Sequence, residues 1–259
     1  MRYAAIVEYD GSQFNGWQIQ PHAPSVQAAV ERALAHVADE PIRVHTAGRT
    51  DTGVHAVGQV IHFDTDKQRP NYGWLRGANT RLPDSIAIKW ISHVSDDFHA
   101  RFSAQSRRYR YIMNTRKIPL GLFADYVSRY PVELEITAMQ EAILPLIGKH
   151  DFSAYRAAGC QSLDPVKIMH SITLSQNGHW IWMDIHGDGF LHHMVRNIIG
   201  VLLKIGAGER EVDWARQVLL SRDRTQGGVT AKPNGLYFVA AEYDRKFGLP
   251  EAARPPVFW

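Results

Sequence analysis

The nine residues from Gly48 to Ala56 read Gly-Arg-Thr-Asp-Thr-Gly-Val-His-Ala, which sets one carboxylate, Asp51, in a glycine-bracketed turn with Arg49 two residues before it. Glycine at both ends lets the backbone take positive φ and approach a ligand closely. An arginine at that spacing holds a carboxylate ionised or grips a phosphate through its planar fork. A carboxylate placed this way can form a covalent intermediate or stabilise cationic character at a neighbouring carbon, and neither role requires a metal or an organic cofactor. The same residue types also make ordinary surface turns.

A second concentration of chemistry lies between His99 and Ala124, where no acidic residue occurs and Arg101, Arg107, Arg108, Arg110, Arg116 and Lys117 all fall. Such an electropositive segment suits a phosphate backbone. Tyr109 and Tyr111 interleave with the arginines, and aromatic rings beside arginine suit base stacking next to phosphate contacts; a solvated charged face is the alternative. Arg107, Arg108 and Arg110 are therefore candidate substrate contacts and Tyr109 a candidate stacking platform. The two tyrosines are two apart, so they share a strand face. Arg196 sits in the otherwise apolar stretch Met194 to Leu203, where a buried arginine needs a carboxylate or a phosphate as partner, unless it faces solvent.

Other candidates are weaker. Asp184 and Asp188 lie near Gly187 and Gly189, where turn formation suffices. Of the thirteen histidines, His192 and His193 are adjacent, but neighbours on a helix point about 100° apart and rarely chelate one ion. No metal site is expected. The single cysteine, Cys160, excludes thiolate zinc sites and an intramolecular disulfide, in keeping with a reducing compartment. No Walker loop or dinucleotide fingerprint is present, so neither ATP nor NAD is implied. No cofactor is expected. His55, inside the Asp51 segment, reads as a structural hydrogen-bonding residue rather than an acid or base.

The chain has 259 residues, 45% hydrophobic and 21% charged, enough for one large or two small domains with a well-packed core. Its net charge is +3, with 21 Arg against 8 Lys, a bias that weakly favours nucleic acid. No apolar run approaches the ~18 residues of a membrane span, and the N-terminus enters a strand pattern directly, so a cytoplasmic protein without a membrane partner is expected.

The elements that must position these residues follow from periodicity. Arg2 to Tyr9 alternates as a strand, and Ser25 caps a helix with Val26, Ala29, Val30, Ala33, Leu34 and Val37 at helical spacing. Strands are expected at Ile42 to Thr46 and Gly58 to Phe63 with the Asp51 turn between them, then a helix near Tyr72 to Thr80 and a strand at Ile86 to His93. The second half repeats the order: strand Ser106 to Met113, helix Ile136 to Ile147, and a hairpin of Ile168 to Ser175 with Trp180 to Ile185 around Asn177-Gly178. Helix Leu191 to Ile205 and strand Leu236 to Tyr243 complete it, with an additional helix at Asp213 to Leu220. Each half reads β-α-β-β-α-β, so the expected fold is α/β (α+β): two ferredoxin-like, RRM-like halves with mainly antiparallel sheets and a cleft between them. The halves divide as 1–104, carrying the Asp51 turn, and 105–259, carrying Tyr109 and Arg196. Duplication rests on element order, without residue-level identity between the halves.

The string Gly48 to Ala56 resembles the catalytic signature of the tRNA pseudouridine synthase A family, Gly-Arg-Thr-Asp-x-Gly-Val-His-Ala, with Thr52 where alanine is common. The resemblance extends through Gly16-Trp17-Gln18-Ile19-Gln20-Pro21, Phe98-His99-Ala100-Arg101-Phe102-Ser103, Arg107-Arg108-Tyr109-Arg110-Tyr111 and Phe190-Leu191-His192-His193-Met194-Val195-Arg196-Asn197, in the family's order. It implies isomerisation of uridine to pseudouridine at positions 38, 39 and 40 of the tRNA anticodon stem-loop, in an α/β homodimer. It implies Asp51 as the catalytic residue, Tyr109 as the surface on which the flipped base stacks, and Arg196 as the residue orienting Asp51. Arg49 either contacts the flipped nucleotide's phosphate or grips the loop. Whether Asp51 attacks C6 of uracil or C1′ of the sugar stays open. Two competitors remain: a noncatalytic RNA-binding protein, which lacks support because the basic-Gly-aromatic-Gly-aromatic string is missing, and a synthase with other RNA targets.

Overall fold

Alternation at the N-terminus becomes a strand with one face, Tyr3, Ala5, Val7 and Tyr9, fully buried, and the other graded from buried Ala4 to exposed Glu8. The computed structural model describes residues 1–160 and 162–259, which form two compact units. One comprises residues 1–107 and 237–256; the other comprises residues 108–236 and 257–259.

The first unit starts β1 (Arg2–Tyr9), α1 (Val26–Ala38), β2 (His45–Thr46), β3 (His55–Asp64), α2 (Asn71–Asn79) and β4 (Ile86–Val94). Strand β1 runs antiparallel to both β4 and β3, and β2 adds to the far edge of β3. The order 4-1-3-2 is that of the ferredoxin-like arrangement. Ser25 caps α1, its Oγ accepting from the Ala28 N–H at 3.3 Å, an arrangement that contributes about 1 kcal/mol. Tyr3, Phe63 and Trp74 make the aromatic heart of this core, with ring centroids 5.3 to 5.6 Å apart.

The second unit is built on β5 (Ser106–Asn114), β6 (Ser128–Arg129), α3 (Ile136–Ile143), β7 (Gly148–Asp151), β8 (Val166–Asn177), β9 (Trp180–Gly187), α4 (Met194–Gly206) and α5 (Trp214–Ser221). Its sheet runs β5-β9-β8-β7, with β6 on β5. Asn177 pairs with Trp180, so the β8–β9 loop is Gly178-His179, one residue later than the Asn-Gly signal suggests, and Gly178 takes φ +56, the positive φ required at the first loop position. Along β9, Ile181, Met183 and Ile185 are buried, while Trp180, Trp182, Asp184 and His186 on the other face are half-buried. Helix α3 stops at Ile143 and tightens into a 3-10 turn around Pro145, shorter than periodicity alone suggests, because proline cannot supply the N–H that an α-helix needs.

The last strand, β10 (Leu236–Glu242), lies mostly in the first unit and pairs parallel to β3 at Tyr237–His55 and Phe238–Ala56. The chain thus returns to the strand that leaves the Asp51 turn. Gly58 permits this, since a Cβ there would lie 2.4 Å from the Val239 carbonyl oxygen. The fold is mixed α/β with mostly antiparallel pairing.

Candidate active site

Asp51 is half-buried in a turn whose backbone is fixed from several sides within the first unit. Its carbonyl accepts from the Val54 N–H (3.1 Å), the Thr50 carbonyl accepts from the Trp17 N–H (3.0 Å), and the Gly53 N–H donates to the Phe14 carbonyl (3.4 Å). Close packing of the 11–17 segment on this turn depends on glycine. A Cβ on Gly11 would sit 2.0 Å from the Val54 oxygen and one on Gly16, at φ +85, 2.6 Å from the Thr50 oxygen. His55 is buried, and its Nδ1 accepts from the Gly11 N–H at 3.1 Å while its ring stacks on Tyr237 at 4.8 Å. That is the structural role the sequence suggests. Arg49 and Thr52 are exposed on the same turn.

The arginine-rich strand divides its labour. Arg107 donates to three backbone carbonyls of the first unit, those of Arg101 (2.7 Å), Ala104 (3.2 Å) and Ala47 (3.3 Å), the last immediately ahead of the Asp51 segment. Arg108 is exposed. Arg110 is buried and makes a bidentate pair with Asp184, Nε to Oδ1 at 2.7 Å and Nη2 to Oδ2 at 2.6 Å. Trp182 and Trp259 flank its guanidinium at 5.9 Å each and stack on one another at 4.0 Å. Arg110 therefore ties β5 to β9, and Asp184 is its counter-ion. Asp188 bridges to β8 rather than closing a local turn, its carboxylate accepting from the Ile168 N–H at 2.9 Å and its own N–H donating to the Ile168 carbonyl at 3.0 Å.

Tyr109 is 9% exposed and meets Phe190 edge to face, ring centroids 5.0 Å apart. Its neighbour Tyr111, on the same strand face, is instead a core residue. Its hydroxyl lies 2.7 Å from Ser128 Oγ and 2.9 Å from the Lys232 carbonyl, and burial pushes it up to about 12.

Arg196 is half-buried near the start of α4 and is held by a reciprocal pair: its Nε donates to the Ala231 carbonyl (2.8 Å), and its own carbonyl accepts from the Ala231 N–H (3.1 Å). Helix α4 starts at Met194, later than its apolar pattern, because His193 adopts a left-handed φ of +60. The segment carrying Ala231 is fixed by a residue to which the sequence alone assigns no role, Asn197. Its buried side chain donates to the Tyr155 carbonyl (2.8 Å) and accepts from Arg224 Nη2 (3.0 Å) and Thr230 Oγ1 (2.6 Å). An amide inside an apolar helix is the signal that could have marked it, since a buried amide without partners is costly.

Three imidazoles, His45, His62 and His99, cluster beside β3 with ring centroids 4.5 to 5.6 Å apart. His62 is buried, and its Nδ1 accepts from the Ala100 N–H at 3.1 Å. Burial first, then the charges of His99, His45 and Arg2, push His62 down to about 3. An unfolded histidine binds its proton near pH 6.5, so between there and pH 3 the unfolded chain holds a proton that the folded chain refuses. Stability is fully present above pH 6.5 and falls with pH through that window. In His62→Asn, where the amide oxygen replaces Nδ1 as acceptor, chemical denaturation across this range is expected to show a slope smaller by one proton; an unchanged slope would place the titration elsewhere.

Comparison with known proteins completes the description. A family model described as tRNA pseudouridine synthase matches residues 5–103 and 142–244. The tRNA pseudouridine synthase A of Shewanella amazonensis is 50% identical over 258 residues, covering 100% of this chain and 99% of its own length. That of Shewanella woodyi is 49% identical with the same coverage. A solved structure, that of a Cbf5-Nop10-Gar1 complex, aligns at 10% identity over 77% of this chain and 54% of its own, with a TM-score of 0.31 that bears no weight for the fold.

Proposed function

We propose, from the premise that this chain belongs to the tRNA pseudouridine synthase family, that it isomerises uridine to pseudouridine in tRNA, at positions 38, 39 and 40 of the anticodon stem-loop. The observation that carries the reading is Asp51 itself: a half-buried carboxylate on a turn pinned through the residues on both sides of it, inside the matched motif.

The reaction breaks the bond between C1′ and N1, turns the uracil and forms the bond between C1′ and C5. The C5 hydrogen leaves to solvent and N1 regains a proton, so no redox step is needed. Asp51 is the nucleophile, at C6 of the base or C1′ of the sugar; both routes use the same residue. A base inside a stem must leave the stack and lie against a new surface, and Tyr109 is assigned that role, backed by Phe190. Arg196, its guanidinium fixed through Nε on Ala231, is assigned to orient Asp51. Arg49, exposed on the turn, is assigned to the flipped nucleotide's phosphate, and exposed Arg108 to a neighbouring one. Arg107 and Arg110 serve the site through the backbone and through Asp184 rather than by touching RNA.

Among the described residues no helix is long and apolar enough to cross a membrane; the cytoplasm is assigned from the proposed tRNA substrate. The homodimer is taken from the family resemblance, and sedimentation equilibrium checks it. The test of function is tritium release from C5-labelled uridine in tRNA transcripts whose anticodon stem-loop uridines are confined to 38, 39 or 40, with no metal or cofactor added. Release from each is expected, and none from a transcript lacking all three. Release that persists from the last transcript would move the target elsewhere. Binding is expected to weaken steeply with salt, as phosphate contacts demand; a salt-independent affinity would remove the arginine segment's role.

A further inference from the structure

Beneath the Asp51 turn lies a buried polar chain that the reaction as described does not use. Gln59 on β3 is 0% exposed, and its Nε2 donates to the Gly48 carbonyl at 2.7 Å and to the Tyr9 hydroxyl at 3.4 Å. The Tyr9 hydroxyl, 2% exposed on β1, lies 2.8 Å from Thr50 Oγ1, and Thr50 is 7% exposed. Two strands thus reach the turn from below, one on each side of Arg49, and hold the two residues on either side of it. We infer that Tyr9 and Gln59 are positioning residues for the isomerisation, setting the place of Asp51 through Thr50 and Gly48. This rests on the reading of Asp51 as the nucleophile.

Three features separate this chain from ordinary core packing. Its polarity is costly: the Gln59 Oε1 atom is buried without a hydrogen-bond partner among the described residues, so an apolar residue of the same shape would be tolerated or preferred if packing were the whole requirement. Its amide orientation is fixed. A carbonyl can only accept, so the Gln59 NH2 must face Gly48 and offer its second N–H to the phenol oxygen, while either hydroxyl of the Tyr9–Thr50 pair can donate to the other. Burial holds that phenol protonated, pushed up to about 12 despite the hydrogen bonds from Thr50 and Gln59. Finally, it meets the backbone where displacement matters, since the Thr50 carbonyl also receives the Trp17 N–H and Thr50 is bonded directly to Asp51. A shift of about 1 Å in a reacting group is worth on the order of a hundredfold in rate.

The experiment compares Gln59→Met, Tyr9→Phe, Thr50→Val, Thr50→Ser, the Tyr9→Phe/Thr50→Val double variant and Asp51→Asn in the full chain. It reads kcat and KM by tritium release, tRNA affinity by direct binding, and thermal unfolding. Gln59→Met and Tyr9→Phe are expected to lose about 10- to 100-fold in kcat with KM and tRNA affinity unchanged. Thr50→Ser, which keeps the hydroxyl, should recover most of what Thr50→Val loses, although valine fills the site better. The double variant should cost no more than the worse single, because both remove one link. Tyr9→Phe deletes a single oxygen and carries the test if Gln59→Met does not fold. Unchanged kcat in a folded Tyr9→Phe protein, a valine variant as active as the serine one, or losses that only follow thermal stability would overturn the inference while leaving an inactive Asp51→Asn, and hence the function, intact. Activity surviving in Asp51→Asn would bring down both.

Discussion

Asp51→Asn is expected to bind tRNA with the affinity of the wild type and to release no measurable tritium from C5-labelled uridine, a loss on the order of 10⁴-fold in rate. The substitution preserves size, and the segment stays held by the Thr50, Gly53 and Val54 backbone bonds and by the contacts of Thr50 with Tyr9 and of Gly48 with Gln59, so the fold should survive. An amide oxygen is a far poorer nucleophile than a carboxylate and carries no charge to stabilise a cationic sugar. The loss is therefore expected whichever carbon Asp51 engages. In barrier terms it amounts to about 5.5 kcal/mol. The measurement pairs single-turnover tritium release with a binding assay on the same preparation. Residual release within about tenfold of wild type would assign the chemistry to another group, since a nucleophile cannot be dispensable.

Gly200→Ala should destabilise the protein, against the sign that helix propensity gives. In the middle of a helix such as α4, alanine in place of glycine is worth about 1 kcal/mol of stabilisation. Here a Cβ would lie 1.9 Å from the Val229 carbonyl oxygen, and on the facing segment a Cβ at Gly228 would lie 2.6 Å from the Gly200 oxygen. Both partners are backbone, so neither can rotate away, and α4 must separate from residues 228–231. Overpacking of this kind costs about 1 to 3 kcal/mol or more. At roughly 2 to 4 °C per kcal/mol for a chain of this size, thermal unfolding should fall by about 2 to 12 °C. Separation would also break the reciprocal Arg196–Ala231 pair and the Asn197–Thr230 hydrogen bond, so kcat should fall with stability. A melting temperature at or above wild type would show that propensity outweighs the contact.

Local patterns were legible wherever one element satisfied its own requirements. The α1 cap at Ser25, the strand Arg2 to Tyr9 and, to within one residue, the hairpin around Asn177-Gly178 all stand where periodicity and turn chemistry put them. The Asp51 turn could be singled out because glycines, a carboxylate and an arginine crowd into nine residues. What escaped was decided by partners far along the chain. Arg110 reads as a phosphate ligand from its neighbours alone, and only the fold shows that Asp184, on another strand, engages the Nε–Nη2 edge of its guanidinium. Strand β7, Gly148–Asp151, is too short and polar to show alternation and exists through pairing with β8. Strand β10 stands where its apolar run puts it, but its parallel pairing with β3 depends on edge geometry that the run does not reveal.

That last pairing orders events during synthesis. Residues 1–107 are made well before residues 237–256, which complete the unit they belong to. At about 5 to 20 residues per second, the nascent chain carries the Asp51 turn for roughly ten to forty seconds before β10 can dock on His55 and Ala56. Through that interval the β3 edge next to the turn offers unpaired backbone groups, the kind of edge that recruits other chains. A product terminated before Tyr237 would display every residue of the turn and lack the strand that buries His55 beside Tyr237, so prematurely released chains are expected to be protease-sensitive and inactive rather than rogue modifiers of tRNA.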